Sequence, residues 1–81
     1  MSGIFYTYVL RSEKDKKLYV GWTDNLSRRV EEHNRGKVNS TRLRTPFELV
    51  YYEACLDKDK AIAREKYFKT GFGRRFLRTR I

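Results

Sequence analysis

The sequence predicts an α+β domain: a small three-stranded sheet, mixed or antiparallel, flanked by helices in the order β-β-α-β-α(-α). Short runs rich in aromatic and β-branched residues, such as 5–11 and 47–54, are typical of strands. Stretches with helical spacing of apolar residues, such as 26–34, separate them. A length of 81 residues, 40% of them hydrophobic, is enough for one modest core. We therefore expect residues 1–81 to form a single domain.

The first two strands are predicted to form a hairpin. The run 5–11 is followed by a polar stretch, 12–17, and then by a second strand-like run, 18–22. Polar residues between two such runs are typical of a hairpin turn.

The first helix is predicted from about residue 26 to about residue 34. Thr23-Asp24-Asn25 supplies side-chain oxygens that can cap its first amides. Gly36 lies where a helix commonly ends. A long basic loop, 35–45, then leads to Pro46 and the third strand. Loops of this length in compact domains are often functional.

The second helix is predicted to begin after Asp57 or Asp59, either of which can act as its N-cap, and to end near Thr70. Gly71-Phe72-Gly73 predicts a break in the helical pattern. Residues 74–80 form a short basic tail, and their pattern is compatible with a further helix.

The charge balance predicts a polyanionic partner. Nineteen Lys and Arg against ten Asp and Glu give a net charge of +9. This balance favours nucleic acid over an anionic membrane, because no basic amphipathic helix or lipidation signal accompanies it. Neither a signal peptide nor a membrane span is predicted. The single cysteine, Cys55, excludes an internal disulfide and a thiolate zinc site, and fits a reducing cytoplasm.

A set of side chains in fixed order carries the chemical prediction. Arg29 and His33 are four apart in the first helix and so share a face. Arginine can fork onto two phosphate oxygens, and a lone carboxylate suits Mg²⁺, which keeps several waters. Phenols beside a cation can take a proton from water. The candidate catalytic residues are Tyr8, Tyr19, Arg29, His33 and Glu65.

This ordered set resembles the GIY-YIG nuclease family, specifically its small single-domain bacterial members. Tyr6-Thr7-Tyr8 stands at the first tyrosine motif and Tyr19-Val20-Gly21 at the second. The family's Gly-Ile is replaced here by Tyr6-Thr7. Gly3-Ile4-Phe5-Tyr6 has a similar spelling, but Tyr8 leaves the more usual, shorter span to the second motif. The resemblance covers residues 5–69.

The resemblance implies metal-dependent hydrolysis of DNA phosphodiester bonds, with Glu65 holding a divalent ion, Mg²⁺ or Mn²⁺. It implies that Arg29 contacts the phosphate and that either Tyr8 or Tyr19 is the general base. His33 has three open roles: orienting a tyrosine, relaying a proton or touching a phosphate. Larger family members carry separate DNA-binding domains. We therefore expect low sequence specificity, recognition of an unusual DNA structure, or a protein partner that supplies specificity.

Other positions are predicted to bind or to shape the site. Basic side chains in the loop and the tail are candidate phosphate contacts on DNA, which we favour over RNA. Gly21 has a structural role, either permitting a bend or allowing close backbone approach. Asn34 and Thr41 either touch the substrate or order the loop. The candidate nucleic-acid-binding residues are Lys37, Arg42, Arg44, Arg74, Arg75 and Arg78.

Each catalytic candidate also has a plainer interpretation. Tyr8 and Tyr19 fit half-buried strand aromatics with hydrated hydroxyls. Glu65 has Lys69 four residues on, the spacing of a surface ion pair worth about 0.5 kcal/mol. The alternative function is accordingly a nucleic-acid-binding module that keeps the nuclease scaffold without catalysis, and a third is a basic face that docks an acidic protein.

Overall fold

Six elements make up the fold, which we describe from a computed structural model covering residues 3–81; the first two residues of the predicted domain lie outside that part. No helix within it is long and apolar enough to cross a bilayer. The elements are β1 (Phe5–Ser12), β2 (Leu18–Thr23), α1 (Leu26–Asn34), β3 (Phe47–Cys55), α2 (Lys58–Phe68) and α3 (Gly71–Leu77).

The three strands form one sheet in the order β2-β1-β3, and both pairings are antiparallel. This confirms the predicted α+β class. Tyr8 in the central strand lies opposite Gly21 on one side and Tyr52 on the other. Residues paired in this way project from the same face of the sheet, so the register decides which side chains of β2 accompany Tyr8.

Helices cover both faces of the central strand, which explains why four consecutive residues of β1 are buried. On one face Tyr8, Leu10 and Phe47 form a cluster against which Val30 of α1 packs. On the other face the cluster consists of Val9, Val20, Phe68 and Leu77, which belong to β1, β2, α2 and α3. Successive strand residues point to opposite faces, so each cluster takes alternate positions of β1.

The helix starts follow the predicted capping chemistry. Asn25 Oδ1 accepts from the amide of Arg28 at 3.1 Å and begins α1. Of the two candidate caps for α2, the structure uses Asp57, whose Oδ1 accepts from Asp59 N at 2.9 Å. Gly36 follows α1 with φ of +74°, the left-handed conformation that ends many helices.

The predicted break at Gly71-Phe72-Gly73 is wrong, because α3 begins there. Thr70 caps this helix, its Oγ1 accepting from Gly73 N at 3.1 Å. A Cβ at Gly73 would collide with the backbone of Tyr67 and Phe68. Gly73 therefore permits close packing of α3 on the end of α2. From the sequence alone, the two glycines had indicated an interruption of the helical pattern.

Candidate active site

Tyr8 lies at the centre of the candidate site and is almost fully buried, with 1% of its surface exposed. Its Oη lies 2.9 Å from Nε2 of His33 on α1. The phenol ring lies across Gly21, where an added Cβ would come within 2.5 Å of Oη and 2.7 Å of Cζ. The position of the Tyr8 ring therefore requires that residue 21 carry no side chain.

His33 is fully buried, and both of its ring nitrogens have partners. Nδ1 lies 2.8 Å from Oγ1 of Thr41, and that hydroxyl donates to the carbonyl of Val38 at 3.4 Å. If Thr41 gives its proton to Val38, it accepts from Nδ1–H, and Nε2 then accepts from the phenol of Tyr8. The network thus assigns the Nδ1–H tautomer and orders the loop through Thr41.

Burial keeps this pair uncharged. Burial raises the pKa of Tyr8 to about 12, although the Arg29 charge lowers it; the charges of Tyr19 and Glu65 raise it further. Burial also lowers the pKa of His33 to about 4, aided by the Arg29 charge and opposed by Glu32. At neutral pH the pair is therefore a neutral phenol bonded to a neutral imidazole.

Tyr19 is the more accessible of the two tyrosines. It is half-buried in β2, opposite Leu10, and shares the α1 face of the sheet with Tyr8. Its ring centroid is 4.9 Å from that of His33 and 6.4 Å from that of Tyr8. The ring of Tyr19 thus packs against the buried Tyr8–His33 pair and is the more exposed of the two tyrosine rings.

Arg29 lies one helical turn before His33, as the spacing predicted. Its Nη1 is 3.1 Å from Oε1 of Glu32, and 36% of its side chain is exposed. Burial lowers its pKa, but its interactions with Tyr8 and Glu32 outweigh this and raise the pKa. Glu32 is a further residue of the site, and its three-residue spacing from Arg29 is the sequence signal for this pair.

Glu65 lies on α2, close enough to Tyr8 for its charge to raise the phenol pKa. Its Oε2 accepts from Nζ of Lys69 at 2.9 Å, and 18% of its side chain is exposed. Residues 3–81 contain no cluster of three His, Cys, Asp or Glu side chains suited to one metal ion. A single, partly accessible carboxylate fits Mg²⁺ completed by waters and substrate oxygens rather than a cation held in an all-protein cage.

The substituted first motif leaves this arrangement intact. Tyr6 lies two residues before Tyr8, and its ring packs edge-on against Tyr52 of β3 at 6.0 Å, away from His33. Thr7 is buried on the opposite face, where its hydroxyl donates to the carbonyl of Ala61 at 2.9 Å. Tyr8, and not Tyr6, is the tyrosine that is hydrogen-bonded to His33.

The basic loop is tied to the hairpin through Arg44. Its Nε donates to Asp15 at 2.8 Å and its Nη2 to the carbonyl of Lys17 at 3.2 Å, while its own carbonyl accepts from Ser12 Oγ at 2.6 Å. Lys37 and Arg42 are exposed on the same loop. The Arg44 side chain is thus engaged within the protein, whereas those two cations form no ion pair with any carboxylate among residues 3–81.

The tail cations differ among themselves. The guanidinium of Arg75 lies over the exposed ring of Phe72 at 5.4 Å. Arg74 and Arg78 line a groove that also includes Tyr19. Two of the three candidate arginines of the tail therefore line the same groove as Tyr19.

A further cavity lies between α1 and β3 and has a volume of about 1080 Å³. Its apolar lining includes Tyr6, Leu26, Val30 and Tyr52. None of the five catalytic candidates lines it, so its size does not make it the reaction site.

The chain is similar to a family model and to several known proteins. The family model described as the GIY-YIG catalytic domain matches residues 4–78. A UPF0213 protein of Clostridium perfringens is 46% identical over 65 residues, which cover 79% of this chain and 69% of that protein. A UPF0213 protein of Lactiplantibacillus plantarum is 44% identical over 68 residues, covering 80% of this chain and 66% of that one. The matched regions thus span about two thirds of these relatives.

A solved structure shares the fold. The solution NMR structure of a UPF0213 protein from Bacillus halodurans aligns with a TM-score of 0.58 at 32% identity, covering 94% of this chain and 83% of that chain.

Proposed function

Because this chain belongs to the family of GIY-YIG catalytic domains, we propose that it is an endonuclease that hydrolyses DNA phosphodiester bonds and depends on a divalent metal ion. The observation that carries the proposal is the assembly around Tyr8: a phenol held by a buried imidazole, with a second phenol and a guanidinium beside it. Mutual support of this kind is what a preorganised site requires.

Tyr19 is the proposed general base. A general base must reach the attacking water and must first lose its own proton, which Tyr19 would release to solvent to become the phenolate that accepts the proton of the water. Tyr19 is the half-buried tyrosine of the pair, whereas Tyr8 is enclosed. The pKa of Tyr8, raised to about 12 by burial, keeps that phenol protonated. We therefore assign Tyr8 and His33 to positioning: His33 fixes Tyr8, and the two rings support Tyr19.

Arg29 is the proposed phosphate ligand. Its guanidinium is partly exposed on the same helix face as His33, and Glu32 holds one of its nitrogens. An arginine steadied in this way can direct its remaining N–H groups at two phosphate oxygens, and in the transition state these bonds strengthen as negative charge develops.

Glu65 is the proposed ligand of the metal ion, Mg²⁺ or Mn²⁺, with Arg29 on the substrate side. When bound, the ion would supply charge stabilisation to the phosphate and the leaving oxygen. Lys69 donates to one carboxylate oxygen of Glu65, so its ammonium group would compete with a bound ion for the negative charge of this carboxylate.

The proposed substrate is DNA, cut with little sequence specificity or by structure. The exposed cations near the site, such as Arg74 and Arg78, suit phosphate oxygens. Contacts of that kind position a duplex without reading base edges. Specificity would then come from DNA shape or from a protein partner.

Cleavage of supercoiled plasmid, branched DNA and RNA in Mg²⁺, Mn²⁺ or EDTA tests this proposal. We expect the wild type to cut DNA only with metal, and both Arg29→Ala and Glu65→Gln to lose cutting while remaining folded. Glu31→Gln is the matched control, because Glu31 is an exposed glutamate paired with Arg35 at 2.9 Å on α1. Cutting that persists in Glu65→Gln would overturn the assignment.

The second candidate is the binding module without catalysis, and the Lys69–Glu65 pair is the observation in its favour. An ammonium neutralises the carboxylate without any metal. Binding of Mn²⁺, followed by electron paramagnetic resonance, separates the two candidates. A nuclease requires Mn²⁺ binding that Glu65→Gln abolishes and Lys69→Met strengthens up to about fivefold, the value of an exposed ion pair. No binding by either wild type or Lys69→Met would favour the module.

A further inference from the structure

A groove with a volume of about 940 Å³ opens between the β1–β2 hairpin and α3. Its lining contains cations from the hairpin on one wall and from the α2–α3 region on the other, and no aspartate or glutamate. We call it the basic groove; its cations are Arg11, Lys16, Lys17, Lys69, Arg74 and Arg78.

The basic groove meets the proposed reaction site at one catalytic candidate. Tyr19 is one of its lining residues. Lys69, another, donates to Glu65 at 2.9 Å. A chain lying in this groove therefore passes the proposed base, and Lys69 connects the groove to the proposed metal ligand, which is not itself a lining residue.

Most of the groove cations form no ion pair with a carboxylate in the described part of the chain. Within residues 3–81, Lys69 is the one groove cation that forms an ion pair. Several other cations do form one: Arg44 with Asp15, Arg64 with Glu53, and Arg35 with Glu31. Positive charge left unmatched along a groove attracts a polyanion.

The backbone at Lys16 adds an independent observation. Its φ of +65° lies in the left-handed region, which costs a non-glycine residue about 1–2 kcal/mol. Glycine or asparagine would occupy this turn at lower energy. A lysine there brings a further positive charge to the hairpin wall at the expense of local strain.

We propose that the basic groove binds the DNA backbone that flanks the cleaved phosphate. This inference rests on the proposed function and extends it, since it adds Arg11, Lys16, Lys17 and Lys69 to the binding surface. It also separates the groove from the loop cations Lys37 and Arg42, which do not line it.

The test is the salt dependence of binding to a short random-sequence DNA duplex, measured by fluorescence anisotropy in EDTA so that no cleavage occurs. The groove variant, Lys17→Gln/Arg78→Gln, removes one exposed cation from each wall. The control, Lys60→Gln/Lys66→Gln, removes the same charge from exposed positions of α2 outside the groove. Circular dichroism and urea unfolding verify that both variants fold.

Each phosphate contact contributes about 0.9 to the slope of log K against log salt. We expect the groove variant to lower the slope by about 1.8 and the control to leave it unchanged. Equal slopes for the two variants would overturn the proposal. So would a groove variant that loses binding to phosphatidylglycerol vesicles while keeping its DNA slope, because the groove would then be a membrane surface.

Failure of the groove and failure of the nuclease are distinguishable. If the wild type binds DNA through the groove but never cuts it with Mg²⁺ or Mn²⁺, the groove proposal stands and the proposed nuclease activity is wrong. If the wild type cuts DNA and the groove variant keeps the wild-type salt slope, the nuclease proposal stands and the groove proposal is wrong.

Discussion

The phenol of Tyr8 and the imidazole of His33 are joined by a 2.9 Å hydrogen bond, and neither side chain has more than 1% of its surface exposed. A neutral, enclosed pair of this kind is suited to holding its surroundings in place rather than to exchanging protons with solvent. Tyr19, at the edge of the pair, is half-buried, which is why we propose it as the base.

Replacement of Tyr8 by phenylalanine should mainly lower stability, whereas replacement of Tyr19 should mainly lower the cleavage rate. Tyr8→Phe leaves Nε2 of His33 buried without a partner, and we expect a loss of about 1–3 kcal/mol in the free energy of unfolding. Tyr19→Phe should change stability by less than about 0.5 kcal/mol, yet lower the single-turnover cleavage rate by about 10²–10⁴-fold. Urea unfolding and plasmid nicking measure the two quantities. Full cleavage by Tyr19→Phe would contradict the assignment of the base.

The depressed pKa of His33 predicts acid sensitivity. The unfolded chain binds this proton near pH 6.5, whereas the folded protein binds it only near pH 4, so stability is lost as pH falls from about 6.5 to about 4. The shift corresponds to about 3 kcal/mol. Asp15, whose pKa Arg44 lowers to about 2, contributes below this window.

Urea unfolding at intervals between pH 7 and pH 4 measures this effect. His33→Gln, which lacks the titrating group, should have a lower stability overall and a flatter pH dependence in the same window. An equally steep dependence in His33→Gln would assign the sensitivity to other groups.

Gly21 should not tolerate even one methyl group. The Cβ of Gly21→Ala would lie 2.5 Å from Tyr8 Oη, so the ring must move off His33, at about 1–3 kcal/mol, with loss of cleavage. Gly71→Ala is the matched control, since nothing lies within 4 Å of its added Cβ. Similar unfolding free energies for the two variants would disprove the packing argument.

Arg64 should contribute to stability and not to DNA binding. Its Nε and Nη2 donate to Glu53 at 2.8 and 3.0 Å, and its guanidinium lies within 4.9 Å of the rings of Phe68 and Phe76. Lysine cannot reproduce the fork, so we expect Arg64→Lys to lower the unfolding free energy by about 1–2 kcal/mol. The salt slope for DNA should stay at the wild-type value; a reduced slope would show that Arg64 contacts phosphate.

The order and type of the elements could be predicted because they depend on local pattern. Residues 26–34 are α1 in the structure as predicted, and the capping chemistry at Asn25 and Asp57 is local as well. The start of α3 could not be predicted, because Gly73 serves contacts with Tyr67 and Phe68 in the preceding helix. In isolation, a Gly-Phe-Gly run is typical of a break.

In the candidate site, too, some features could be predicted from local sequence spacing and others could not. The shared face of Arg29 and His33 follows from helical spacing, and so does the Glu65–Lys69 pair. The enclosure of Tyr8, which the sequence presented as a half-buried aromatic, depends on a helix 25 residues away. The engagement of Arg44 with Asp15, 29 residues apart, likewise required the fold. Contacts across such separations leave no periodic trace in the sequence.

The most direct measurement of the central claim is the single-turnover rate of supercoiled plasmid nicking at saturating protein in Mg²⁺, for wild type and Glu65→Gln. Binding of the same plasmid should be measured alongside. The account predicts that Glu65→Gln binds DNA as tightly as wild type and nicks at least about 10²-fold more slowly. Equal nicking rates, or no nicking by the wild type with any divalent ion, would contradict it.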